Sequence, residues 1–168
     1  YWRMNVARNL DEWRAAMAMG AIPSINYVYA DDRGNIAFLP NARHPLRKEG
    51  IDWSGVVPGD RSDLIWTEEL PFAKKPQIWN PKSGYVFNAN NTPFRATDPA
   101  DDLSPVDFSK TLGLQTYMTN RGLRSAEVYG GDASISAEEF DRYKYDVAYS
   151  TVSQMTEVIK ELLAVDPA

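Results

Sequence analysis

An α+β fold, with strands in the N-terminal half and helices in the C-terminal half, follows from three observations on this 168-residue chain. A β-branched and aromatic run, Ile25-Asn26-Tyr27-Val28-Tyr29-Ala30, is answered after a tight turn by Asn35-Ile36-Ala37-Phe38-Leu39. A capping-box sequence, Ser136-Ala137-Glu138-Glu139, opens a stretch with helical periodicity. Between them, Pro40, Pro45, Pro58, Pro71, Pro76 and Pro81 punctuate a region too broken for long regular elements. The chain reads as one partial domain, 1–168, with a helix plus strand and loop region over 1–105 and a mainly helical region over 106–168.

Taken in order, Asn9 caps a lead-in helix and Glu12 completes a capping-box-like pair. Leu10, Trp13 and Met17 share one face of that helix, so Trp13 is expected in the core, and Gly20 suits the C′ position. The two strands form a hairpin over Asp31-Asp32-Arg33-Gly34, where Asp serves turn chemistry better than catalysis or metal binding. Trp53, Trp66 and Trp79 are spread through the proline-rich middle, which is therefore expected to be a packed excursion. His44, in a proline-rich turn, is expected at the surface. A short strand is expected over 85–87. In the tail, Phe140, Tyr143, Val147 and Thr151 keep helical spacing, as do Met155, Val158, Ile159, Leu162 and Leu163. That predicts one long helix, or two broken near Tyr149-Ser150.

Composition removes several functions. With no cysteine there is no disulfide, thiol nucleophile or Cys-based metal centre, and with 1 His any Ser-His-Asp triad would have to use His44. The formal net charge of -5 argues against a nucleic-acid partner. No apolar run approaches the roughly 20 residues of a membrane helix. The chain begins at Tyr1 rather than Met, as expected of a processed product or an internal fragment.

The most distinctive run is Asn88-Ala89-Asn90-Asn91-Thr92-Pro93. Asn at the end of a strand makes Asx turns and tolerates left-handed backbone. It can also present a neutral, orientable NH2 donor to an oxyanion. On residue type alone the turn reading is the stronger. The acidic loop Asp98-Pro99-Ala100-Asp101-Asp102 could contribute to a hard-cation site, but calcium needs six to eight oxygens gathered in space.

Together, several segments resemble the penicillin acylase family of N-terminal nucleophile hydrolases. They are Tyr27-Val28-Tyr29-Ala30-Asp31 with Gly34-Asn35-Ile36, Val57-Pro58-Gly59, Trp66 to Leu70-Pro71-Phe72, Asn80-Pro81-Lys82-Ser83-Gly84-Tyr85 with Asn88 to Pro93, and Thr119-Asn120-Arg121 to Arg124. They occur in the family's order over most of residues 1–150. The resemblance implies part of a four-layer αββα sandwich and an amide hydrolase cleaving an N-acyl bond, such as that of acyl-homoserine lactones or β-lactam antibiotics. Its nucleophile would be a processed N-terminal Ser whose α-amine is the base. That Ser is absent here, so the chain is expected to be an interior piece of the β-chain, inactive alone. Its partners would be the α-chain, the rest of the β-chain and a small N-acyl substrate, with no nucleic acid and no membrane span. By motif matching, Asn90 is the side-chain oxyanion donor, Arg121 orients the active site and Ile25 lines the acyl-side pocket. Asp102 is the best match to a structural calcium ligand, with Asp101 the alternative. No organic cofactor is implied, and the compartment would be periplasmic or extracellular. A rival reading, from the 12% aromatic content, is a non-catalytic carbohydrate- or ligand-binding module.

Overall fold

The computed structural model describes residues 1–22 and 24–165; Pro23 and residues 166–168, which fall inside the expected boundaries 1–168 and 106–168, lie outside the described residues. Helix α1 (Trp2–Asn5) is a single turn and helix α2 (Leu10–Ala18) follows it. Asn9 Oδ1 accepts the Glu12 N–H at 2.9 Å, and the Glu12 carboxylate reaches back to the Arg8 N–H at 2.9 Å. Gly20 ends the helix at φ +56°, a left-handed backbone that a side chain would strain.

Strands β1 (Ser24–Ala30) and β2 (Ile36–Ala42) form the expected antiparallel hairpin, with Tyr27 opposite Leu39. Asp31 builds its turn: Oδ1 accepts the N–H groups of Arg33 at 3.0 Å and Asn35 at 2.9 Å. These bonds, led by the Asn35 side chain, hold the Asp31 carboxyl below its usual pKa. Strand β2 runs three residues past the expected end at Leu39, through Pro40. The two-residue strand β3 (Ile78–Trp79) pairs with Phe38 and Ala37. Asn80 lengthens that edge by donating its N–H to Ile36 O at 2.9 Å and accepting the Ile36 N–H on Oδ1 at 2.8 Å. Residues 36, 38 and 40 turn their backbone groups to this side, so the N–H that Pro40 lacks falls just beyond the ladder.

Being central, β2 is buried on both faces. Leu39 packs with Trp13 and Met17 of α2, and Tyr27, Tyr29 and Trp79 close around them. Trp13, expected in the core, is 5% exposed, with its ring 4.9 Å from that of Tyr29. On the opposite face Phe38 packs with Ile78 and Ala96, flanked by Val86 and Leu103. The proline-rich middle is packed only in part: Leu64 is buried and Trp53 donates its indole N–H to Lys48 O at 2.9 Å, but Val56, Ile65 and Trp66 are exposed.

Two expectations fail. His44 is 8% exposed rather than at the surface, because 44–46 pairs with 68–70: Leu70 N–H bonds His44 O at 2.8 Å and Leu46 N–H bonds Glu68 O at 2.9 Å. Burial, with Lys75 and Arg47 nearby, pushes its pKa below the usual value. The strand expected over 85–87 does not form. Its backbone instead engages the turn that follows: Phe87 N–H bonds Ala96 O at 3.0 Å and Thr97 Oγ1 donates to Tyr85 O at 2.7 Å. The described residues therefore contain one three-stranded sheet, in the order β1-β2-β3, and not a pair of stacked sheets.

After short 3-10 turns at Pro105–Asp107 and Lys110–Leu112 come α3 (Asn120–Gly130), α4 (Ala137–Lys144) and α5 (Gln154–Ala164). The tail is thus two helices, as the sequence allows, but the interruption spans 145–153, so Val147 and Thr151, expected to continue the helical spacing, lie in the connector. Ser136 and Glu139 make the capping box reciprocally at 3.2 and 3.0 Å.

Candidate functional site

Three asparagines in four positions take three different jobs. Asn91 is 3% exposed and staples the loop: Oδ1 accepts the Ala89 N–H at 2.7 Å and Nδ2 donates to Arg95 O at 2.7 Å. Asn88 Oδ1 accepts the Asn90 N–H at 3.0 Å and the Asn26 amide at 3.2 Å. Asn26 also donates to Asn91 O at 3.3 Å, which ties the loop to β1. Between these anchors Asn90 sits at φ +57°, one of two non-glycine residues in left-handed backbone among the described residues. The turn-forming bonds thus fall on Asn88 and Asn91, and the left-handed position on Asn90.

Arg121, from the first turn of α3, donates Nη2 to Asn90 Oδ1 at 2.8 Å. The amide's acceptor end is therefore occupied. Its NH2 end has no acceptor among the described residues, and engaging the oxygen with a cation makes the N–H groups better donors. The positive end of the α3 backbone dipole adds to this field. Helix α3 reaches the loop closely because residue 122 is glycine: a Cβ there would stand 3.3 Å from Asn91 Cβ and 2.9 Å from Met118 Cε. Thr119 caps the helix by accepting the Gly122 N–H at 3.2 Å. Asn90 and Arg121 are both exposed at the surface of this chain.

A cleft of about 450 Å³ runs beside this pair, between the Asn loop, α3 and the α4–α5 connector. A second, of about 770 Å³, is lined by Tyr85, Phe87, Tyr129, Phe140 and Tyr143. Ile25 lines neither. It is 41% exposed and alternates with Asn26, so it turns from the Asn loop toward the face carrying Tyr27 and Tyr29. The structure thus brings Asn90 and Arg121 together and leaves Ile25 apart from them.

Asp102 is half-buried and its Oδ1 accepts the N–H groups of Ala96 at 2.9 Å and Thr97 at 3.1 Å. Burial nonetheless raises its pKa, with Asp98 adding to the rise against the two backbone bonds and the charge of Arg95. Asp101 is engaged elsewhere, accepting the Ser83 N–H at 2.7 Å. Among the described residues no three His, Asp or Glu side chains gather as metal ligands. Alone, this donor set does not fit calcium, which takes six to eight oxygens.

Sequence reasoning assigned no role to Asn26 or Gly122. A polar residue inside β1 and a glycine in the first turn of a helix were the available signals.

A penicillin amidase family model matches residues 1–167. The penicillin G acylase of Escherichia coli is 40% identical over 97 residues, covering 58% of this chain and 11% of that protein. The solved structure of a thermostable penicillin G acylase from Alcaligenes faecalis, in orthorhombic form, superposes with a TM-score of 0.68 at 28% identity. That match covers 96% of this chain and 27% of the Alcaligenes chain, so the present sequence spans about a quarter or less of either relative.

Proposed function

Because the chain belongs to the penicillin amidase family, we propose that it supplies the side-chain half of an oxyanion hole to an amide hydrolase acting on an N-acyl substrate. The observation that carries this reading is the Arg121–Asn90 bond at 2.8 Å, made to an Asn in left-handed backbone. The bond fixes which end of the amide faces outward. When a nucleophile adds to the substrate carbonyl, the oxygen becomes an anion. The Asn90 NH2 then donates to a charge that is larger in the transition state than in the ground state, which is the condition for acceleration. A neutral amide does this without exchanging a proton. The attacking group is an N-terminal Ser supplied from outside this chain, with its α-amine as base.

Other segments of the acylase, the α-chain and the remaining β-chain, would cover the exposed pair and complete the αββα layers. Excluding water there strengthens the donor. Ile25 would touch the acyl group only as part of a pocket built with those segments. Asp102 would contribute one carboxylate oxygen to a structural calcium site completed elsewhere. A periplasmic or extracellular location belongs to the same reading. Among the described residues no helix is long and apolar enough to cross a membrane. For the carbohydrate-binding alternative, Trp2 and Trp66 are exposed, but Trp13 is core and Trp79 packs against it, so two of the tryptophans are not available as a binding platform.

The test is Asn90→Ala in the full-length, processed enzyme. A fall in kcat of about 100- to 1,000-fold is expected, the range for loss of one oxyanion-hole donor. A change of only a few-fold with processing intact would remove the oxyanion role.

A further inference from the structure

Arg121 reaches Asn90 from the first turn of α3, so the bond is only as well placed as that turn. The turn is gripped by the connector between α4 and α5. Asn120 Oδ1 accepts the Ser150 N–H at 2.9 Å. One turn on, Arg124 holds Asp146 through Nε at 2.9 Å and Nη2 at 2.8 Å. Further along, Glu127 Oε1 accepts from Ser150 Oγ at 2.8 Å, Thr151 N at 2.9 Å and Thr151 Oγ1 at 2.8 Å. Residues 120, 124 and 127 lie on one helical face, spaced i, i+4 and i+7. All three bind the same connector between α4 and α5. Ser150 is 0% exposed, and its carbonyl accepts Thr156 Oγ1 at 2.6 Å, which ties the connector to α5.

Next to this clamped face, residues 121 and 122 meet the Asn loop. The helix is thus held between two surfaces. Among the described residues, its later turns make several hydrogen bonds to the connector through Arg124 and Glu127, and its first turn makes one, through Asn120. We propose that Asn120 is a positioning residue for Arg121, fixing by its bond to the buried Ser150 amide the turn from which the guanidinium orients Asn90. The role rests on the reading of Asn90 as oxyanion donor. Asn120 touches no reacting atom. Without it, the Ser150 N–H loses its acceptor and the first turn can shift, and a misplacement of about 1 Å can lower a rate about 100-fold.

The experiment uses full-length, processed acylase carrying Asn120→Ala, Asn120→Asp, Arg121→Ala and the Asn120→Ala/Arg121→Ala double substitution, with Asn90→Ala alongside. Asn120→Ala is expected to lower kcat roughly 10- to 100-fold with KM changed less than about twofold. Asn120→Asp keeps the acceptor and recovers most of kcat. On the Arg121→Ala background, Asn120→Ala changes kcat less than about twofold, because its effect passes through the missing guanidinium. Equal losses in both backgrounds, or no recovery with Asp, overturn the positioning role. So does a lowered melting temperature with kcat intact. If Asn90→Ala collapses kcat while Asn120→Ala leaves it unchanged, only the positioning role fails. If Asn90→Ala itself leaves kcat intact, the oxyanion reading fails and this role with it.

Discussion

The sheet region and the helical tail are held by different forces. Around β2, Trp13, Met17 and Leu39 close one face and Phe38, Ile78 and Ala96 the other, all nearly or fully buried. Helices α4 and α5 bury none of their residues, and Phe140, Met155, Val158, Leu162 and Leu163 remain exposed on amphipathic helices. What ties the tail down is largely polar, with Arg124 between Glu127 and Asp146 and Glu127 on Ser150 and Thr151, beside the aromatic contacts of Tyr129 with Phe140 and Tyr143. Hydrophobic packing is non-directional and tolerates small shifts, whereas hydrogen bonds demand a fixed geometry. The candidate site lies on the seam, with Asn90 anchored to the sheet through Asn26 and Arg121 anchored to the polar clamp.

The largest expected effect tests the packed side. Trp13→Ala should cost about 3–5 kcal/mol in denaturant unfolding, as large aromatic truncations in cores do. Phe140→Ala, at a residue 51% exposed, should cost less than about 1 kcal/mol. Equal costs in this chain would mean that the two regions do not differ as described.

A smaller effect belongs to the seam. Asn91→Ala removes the acceptor for Ala89 N–H and the donor to Arg95 O from a site 3% exposed. Leaving those groups unpaired should cost about 1–3 kcal/mol and speed hydrogen exchange at Ala89. Unchanged exchange at Ala89 would show that the loop keeps its shape without the Asn91 staple.

The sequence made local features readable and distant ones not. The caps at Asn9 and Ser136, the Asp31 turn and the hairpin lie within a few residues of their partners, so residue types and spacing predict them. His44 is buried by pairing with a segment more than 20 residues away, about which its own neighbours carry no signal. The apolar run at 85–87 has strand composition, yet its partner is a turn rather than a sheet edge. Asn90 and Arg121, 31 residues apart, were joined only through resemblance to a family. The Asn120–Ser150 bond spans 30 residues between ordinary polar side chains, a pairing that no periodicity encodes.

Acid should separate the two regions by the smallest margin. Arg124 holds the Asp146 carboxyl down to about 2, from 3.8. A carboxyl whose folded pKa is depressed stabilises the fold above its unfolded value and loses that contribution as pH falls toward the folded one. The Arg124–Asp146 pair should therefore be intact above pH 3.8 and weaken as pH falls toward about 2. The Trp13–Leu39 cluster contains no carboxylate and should not respond in that window. Amide exchange at Ala148, whose N–H bonds Asp146 Oδ1 at 3.0 Å, reports the clamp; exchange within β2 reports the cluster. Ala148 should lose protection first as the solution is acidified, and Asp146→Asn should shrink that acid step, leaving the part that Glu127, also held below its usual pKa, contributes. If both amides lost protection together, or if Asp146→Asn left the acid step unchanged, the tail would not be held by this carboxylate.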